Sequence, residues 1–495
     1  MRMTPIDEYV PDPGELVEFR IPAPVLAVAA EAPEHPAPPS YVQENHIRRL
    51  LANRAAGRPQ SPWLGVAFDL PGRLDTTAMA AALATWVRRH PTLLTWFAVD
   101  GDRLRRHAVP AGAVAVEPVS CGRYDSAAAV RDHLKERFDA GTSPLVWPPF
   151  VAGAVLPAHE ADREADAATD AGADADAADT GHDAHDGGTS TVWIAVDHSH
   201  TDGYSTLLLF SELRALYEAE LAGTDAPLPA AGSYVDHCAL DRDRAALVGL
   251  DAPEVRRWVE FFSAGPPPGF PLDLGLAPDA SHPSVSVEAD LFDAAEGEAF
   301  AAACKTHGAG FLAGVLAALA VTGHELGGPA DYRALTVVHT RDERRWQHTQ
   351  GWFINLVPVE FTAKGTFGEV VAEAGRAVAA ARELAGVSPL RVLELLPGMT
   401  GAVQPDAAAV LPIVSYLDCR HVPGSRDWAA ANCHGLVGPG HSRNVPVWVN
   451  RLWDRTYLKS RYPDTPAARA NVPRFMAHLR QVLRTVALTG DRPCA

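Results

Sequence analysis

Residues 192–203 read VWIAVDHSHTDG, and a long apolar run from about Ser205 to Leu221 follows them. A short run of β-branched and aromatic residues, a cluster of His and Asp, then glycine and a 3.6-residue apolar period predict strand, turn and helix. The turn therefore carries the side chains that chemistry can use. His198 and Asp202 stand four apart with Gly203 beside them, an HxxxDG pattern. An imidazole at the end of a buried strand suits general-base work, because modest changes of environment move its pKa across neutrality. The carboxylate either holds that imidazole or turns away and holds the loop.

His198, His200 and Asp202 also spell HxHxD, which resembles the zinc-binding signature of metallo-β-lactamase-type hydrolases. That signature continues with a further His where Gly203 stands, and the rest of the chain has to arbitrate. Length and composition set the outer limits: 495 residues, 47% hydrophobic and 21% charged, describe a globular protein large enough for two sizeable lobes. No run of about 18 apolar residues is present, and the N-terminus lacks the basic-then-apolar signal-peptide pattern. The expectation is a cytoplasmic monomer without a transmembrane segment. Six scattered Cys, with no CxxC pair, fit reduced thiols.

A net charge of −18 argues against nucleic acid as a partner. Much of it is local: residues 157–190 hold ten Asp or Glu against one Arg, with no aromatic or large aliphatic side chain. Such a segment cannot bury enough surface to offset its ordering entropy, so 157–190 is expected to be a disordered acidic insert between two strands.

Taken in order, the chain opens with a Pro-rich stretch up to about Ser40, read as an extended wrapping arm. Ser40 caps a helix that stops near Gly57, and Leu64–Leu70 is strand-like. Asp75 caps a second helix, with Met79, Leu83 and Val87 at helical spacing, which Pro91 ends. Asp75, Arg89, His90, Pro91, Leu94 and Phe97 together resemble the opening of the condensation-domain superfamily. That superfamily includes nonribosomal peptide condensation domains, chloramphenicol acetyltransferase relatives and the polyketide-associated acyltransferases of mycobacteria. Its HHxxxDG motif falls on Asp197–Gly203, with Asp197 in place of the first His. A second motif, GxFxN, is matched by Gly351, Trp352, Phe353, Ile354 and Asn355, and Arg341 stands ten residues before its glycine. Segments along nearly the whole chain, apart from the acidic insert, most resemble the mycobacterial acyltransferases that esterify trehalose glycolipids.

The resemblance implies an α/β fold of two chloramphenicol-acetyltransferase-like lobes in a V-shaped pseudo-dimer with a tunnel between them. Residues 1–226 would form the first lobe, 227–250 the crossing and 251–495 the second lobe. It implies a stand-alone acyltransferase moving an acyl group from a thioester, on coenzyme A or a carrier protein, to a hydroxyl or amine of a small molecule or glycolipid. His198 would be the base, and the Gly203 turn, where a helix begins, would supply oxyanion donors. Asp202 and Arg341 would form a structural bridge, and Asp197, His200, Trp352 and Asn355 would line the substrate channel. Arg344, Arg345 and Arg451 are the basic residues expected to receive an anionic donor. No metal and no cofactor is implied beyond the thioester substrate. GxFxN in the second half sets HxHxD metal hydrolysis aside, and a degenerate, non-catalytic docking protein is the remaining alternative.

Overall fold

The computed structural model describes residues 1–58, 61–157, 188–277, 282–396 and 411–494. Two seven-stranded sheets organise it. In the first, the strands run in the order Arg2–Pro5, His434–Val437, Trp63–Pro71, Thr189–Asp197, Phe150–Leu156, Gly14–Arg20 and Glu117–Tyr124. In the second, the order is Ile354–Thr362, Asp331–His339, Ile413–Asp418, Val447–Arg451, Arg455–Pro463, His282–Asp293 and His441–Ser442. This is the mixed α/β, two-lobed architecture expected from the sequence.

The strand Thr189–Asp197 shows why the motif sits where it does. Successive side chains of a strand face opposite sides. Val192, Ile194 and Val196 enter the apolar cluster built with helices Thr76–Arg89 and Gly203–Ala222, whereas Trp193 and Ala195 enter the cluster under helix Ala127–Gly141. All five are fully buried, each larger side chain contributing about 1.5–3 kcal/mol. A strand locked on both faces delivers Asp197 and the following turn to a fixed place. The helix after it stops at Gly223, whose φ of 64° is a left-handed cap that glycine adopts without cost.

Three sequence expectations change. The first 40 residues are not a loose arm: Arg2–Pro5 and Gly14–Arg20 are strands of the first sheet, and Ala23–Ala30 is a helix. The lobes do not divide at 227–250 alone, because that stretch contains the helix Tyr234–Ala246 and because the chain crosses back later. His434–Val437 is inserted between Arg2–Pro5 and Trp63–Pro71, and Cys419, Val422, Trp428 and Cys433 join the first lobe's core. The segment 251–495 is thus not wholly the second lobe. Of the acidic insert, 158–187 lies outside the described residues, while Thr189 and Ser190 already pair with Pro71 and Leu70.

Candidate active site

The motif strand ends at Asp197, whose carboxylate accepts from Ser199 N at 2.8 Å and Ser199 Oγ at 2.5 Å. That short-range capping winds His198–His200 into one 3-10 turn. Ser199 is therefore no nucleophile for His198, since its hydroxyl is spent on Asp197. His198 is partly exposed, and its Nδ1 lies 2.9 Å from the Thr201 carbonyl. A carbonyl only accepts, so Nδ1 carries the proton and Nε2 keeps its lone pair. Trp352 covers the ring, with centroids 4.0 Å apart. Burial, and next the neighbouring His46, push the His198 pKa below the ordinary imidazole value, so the ring is a neutral base near pH 7.

Asp202 caps the helix Gly203–Ala222 through Ser205 N at 2.6 Å. Its carboxylate also takes Phe353 N at 2.9 Å and Arg341 Nη2 at 3.2 and 3.3 Å. Arg341 in turn donates to Trp346 O, Thr349 O and Ser205 Oγ at 2.6–2.7 Å. Asp202 and Arg341 are 2% and 8% exposed, so this buried ion pair fastens the motif helix of one lobe to the strand ends of the other. Gly203 opens the helix, and a Cβ placed there meets nothing within 4 Å. Gly203 and Tyr204 are the first two residues of that helix, where backbone N–H groups have no intrahelical acceptor.

Three of the four expected channel residues are elsewhere. Asp197 is fully buried beneath the turn. His200 is equally buried, its Nδ1 turned to Thr92 O at 2.9 Å, and burial lowers its pKa to about 4. Asn355 donates to Ala385 O at 2.9 Å and accepts from Leu356 N, so it ties its own strand to the second lobe. Only Trp352 faces His198. Arg451 also leaves the proposed landing patch: it is 5% exposed, paired with Glu298 at 2.8 Å and stacked on Phe311. Arg344 and Arg345 are both exposed, Arg345 being paired with Glu343 at 2.9 Å.

The residues of HxHxD do not converge. The Asp202 carboxylate is saturated by Arg341 and two backbone N–H groups, and His200 points at Thr92. The one grouping of possible metal ligands among the described residues, Glu18, Cys121 and His133, lies outside the motif, and Glu18 is already bound by Arg20 and Arg137 at 2.8 and 3.0 Å.

Several residues of the site escaped the sequence reading. His46, on helix Tyr41–Ala55, places Nε2 3.5 Å from Asp197 and its ring 6.0 Å from that of His198. Gln350 Nε2 donates to Thr201 Oγ1 at 2.7 Å, and Gln350 N to His90 Nδ1 at 3.3 Å. His90 Nε2 then donates to Glu212, which also holds Arg89 at 2.5 Å. The Arg-His-Pro run is thereby a brace behind the Thr201 carbonyl that orients His198. Burial opposes ionisation of Glu212, but His90 and Arg89 outweigh it and hold the carboxyl below its ordinary range.

Across 97% of its length the chain is 31% identical to the trehalose-2-sulfate acyltransferase PapA2 of Mycobacterium tuberculosis, covering 96% of that protein. The chain belongs to the Pap acyltransferases. Acyltransferase PapA3 of the same organism is 30% identical over 98% of the chain and 97% of its own length. A condensation-domain family model matches residues 184–393, which span both motifs. The solved structure of PapA2 acyl transferase superposes with a TM-score of 0.83 at 28% identity, covering 98% of this chain and all of that one. The first condensation domain of the calcium-dependent antibiotic synthetase shares the fold, with a TM-score of 0.65 at 18% identity over 94% of this chain and 97% of that one. Membership of the Pap acyltransferases makes the chain an enzyme of acyl transfer. Among the described residues no single helix is long and apolar enough to cross a membrane.

Proposed function

We propose that this Pap acyltransferase moves an acyl group from a thioester onto a hydroxyl of a trehalose-type sugar. The observation that carries the reading is the His198 imidazole, with Nδ1–H fixed on the Thr201 carbonyl and Nε2 left as the base. Nε2 takes the proton of the acceptor hydroxyl while its oxygen attacks the thioester carbonyl. The negative charge that develops on the carbonyl oxygen faces the Gly203 and Tyr204 N–H groups, at the positive end of the helix. Collapse of the tetrahedral species breaks the C–S bond, and the proton held on Nε2 passes to the leaving thiolate. Ester and free thiol are the products, and no covalent enzyme intermediate is needed. Asp202 and Arg341 contribute by holding the two lobes around this point, with donor and acceptor arriving through a tunnel between them.

Two features support the sugar acceptor. PapA2 is named for trehalose-2-sulfate, and PapA1 of Mycobacterium tuberculosis, 29% identical over 99% of the chain, for a 2'-acyl-2-O-sulfo-trehalose. Gly203 is exposed and a Cβ there would meet nothing within 4 Å, so the start of the motif helix is open to a bulky group. Acyl coenzyme A is the simplest donor, with a carrier-protein thioester as its equivalent. Incubating the protein with a series of acyl-coenzyme A donors and with trehalose, sulfated trehalose or glucose, followed by mass spectrometry, tests this. A sugar ester formed only with the disaccharides is expected. Acyl transfer to amines and to no sugar hydroxyl would refute the acceptor class.

A further inference from the structure

Asp197 occupies the place of the motif's first histidine, and its surroundings show what compensates. The carboxylate is fully buried, where an ionised group needs a countercharge. Ser199 gives Oδ1 two neutral donors, and Oδ2 has no hydrogen-bond partner among the described residues. Two imidazoles face it. His200 has turned its Nδ1 to Thr92, with Arg106 behind it, so the nearer open partner is His46, whose Nε2 stands 3.5 Å from Oδ1. The His46 side chain is 17% exposed, and its ring meets Trp352 edge-on at 5.4 Å. Trp352 in turn covers His198, so His46, Trp352 and His198 are in mutual contact.

We propose that His46, anchored by Asp197, is a positioning residue for the acyl-transfer base: from helix Tyr41–Ala55 it supplies the imidazole the motif lacks and sets a positive charge beside His198. This rests on His198 being that base. The groups facing His198 are His46 from helix Tyr41–Ala55 and Asp197 from the motif strand, while Asp202 is neutralised by Arg341. After burial, His46 is the larger influence lowering the His198 pKa, and Asp197 opposes it more weakly. Burial and His46 together therefore favour the unprotonated His198 ring, against the pull of Asp197.

NMR titration of His198 in the full-length, ligand-free protein tests the charge directly, with His46→Gln and His46→Lys beside the native chain. Removing the cation in His46→Gln is expected to move the His198 midpoint to higher pH. The same variant is expected to lose about twofold or more in kcat/KM near about pH 6, a loss that closes by about pH 8. His46→Lys, which keeps a charge, is expected to restore both readings. An unmoved His198 midpoint in His46→Gln, whatever happens to its melting temperature, overturns the inference, and so does a His46→Lys that behaves like His46→Gln. An active His198→Ala would remove the proposed base and leave the titration untouched, so the two ideas fail separately.

Discussion

Asp197 and Asp202 flank the same turn, are almost equally buried, and are held in opposite ways. Asp202 has every lone pair answered: a permanent guanidinium, the Ser205 N–H and the Phe353 N–H. Asp197 has a serine, an imidazole at 3.5 Å and one oxygen without a hydrogen bond among the described residues. A carboxylate paired with Arg is a fixed fastening, since Arg does not lose its charge. One paired with His follows pH. The site thus has a rigid side, which joins the lobes, and a responsive side, which borders the base.

The contrast is broken most severely at Arg341. Arg341→Ala leaves the Asp202 charge buried with backbone donors alone and is expected to cost about 3–5 kcal/mol in urea unfolding. Adding Asp202→Asn to Arg341→Ala should recover part of that loss, because the stranded charge is gone. Additive losses would mean that the pair is not one unit.

Acid provides the next largest effect. Burial lowers the pKa of His200 to about 4, against about 6.5 for an unfolded imidazole. Between those values the unfolded chain binds a proton that the folded chain refuses, so stability rises with pH and is lost on acidification from about pH 6.5 towards about pH 4. His200 alone accounts for about 3 kcal/mol of that loss. His200→Asn is expected to flatten unfolding free energy against pH over this window; an unchanged slope would place the acid sensitivity elsewhere.

Asp197→Asn should be milder. The amide oxygen can still accept from Ser199, so about 1 kcal/mol is expected at neutral pH. Burial works against the Asp197 charge, yet His46, His200 and Ser199 hold its pKa below the ordinary carboxylate value. Its contribution is therefore complete above the unfolded carboxylate range and disappears as pH falls through the folded value, so the deficit of Asp197→Asn should shrink in acid. A deficit that is constant with pH would show that the charge is not what is lost.

The smallest stability change is expected at Gly203. Its helical position accepts alanine and its Cβ meets open space, so Gly203→Ala should stabilise the fold by about 0.5 kcal/mol. A loss of about tenfold in kcat/KM is expected beside that gain, because the methyl enters the space proposed for substrate.

What the sequence made legible follows from distance along the chain. The strand, turn and helix around His198 are written in local periodicity, and the pairing of Asp202 with Arg341 in two motifs, and the structure has them where expected. His46 was invisible because it lies on a helix about 150 residues upstream, and only the buried Asp197, lacking a cation of its own, hinted at a partner. The first 40 residues misled because Pro5, Pro11, Pro13 and Pro22 punctuate short strands. Arg2–Pro5 is a strand only because His434–Val437, more than 400 residues away, pairs with it. Arg451 looked like surface charge because nothing near it in sequence announces Glu298 and Phe311 as its partners.

The central claim is that His198 takes the proton from the acceptor. Its most direct test is the initial rate of sugar acylation by His198→Ala, measured beside the native chain on preparations with matching unfolding midpoints. A fall of about 100-fold or more is expected, the size of a lost general base. Turnover within a few-fold of the native rate, with the fold intact, would contradict the account.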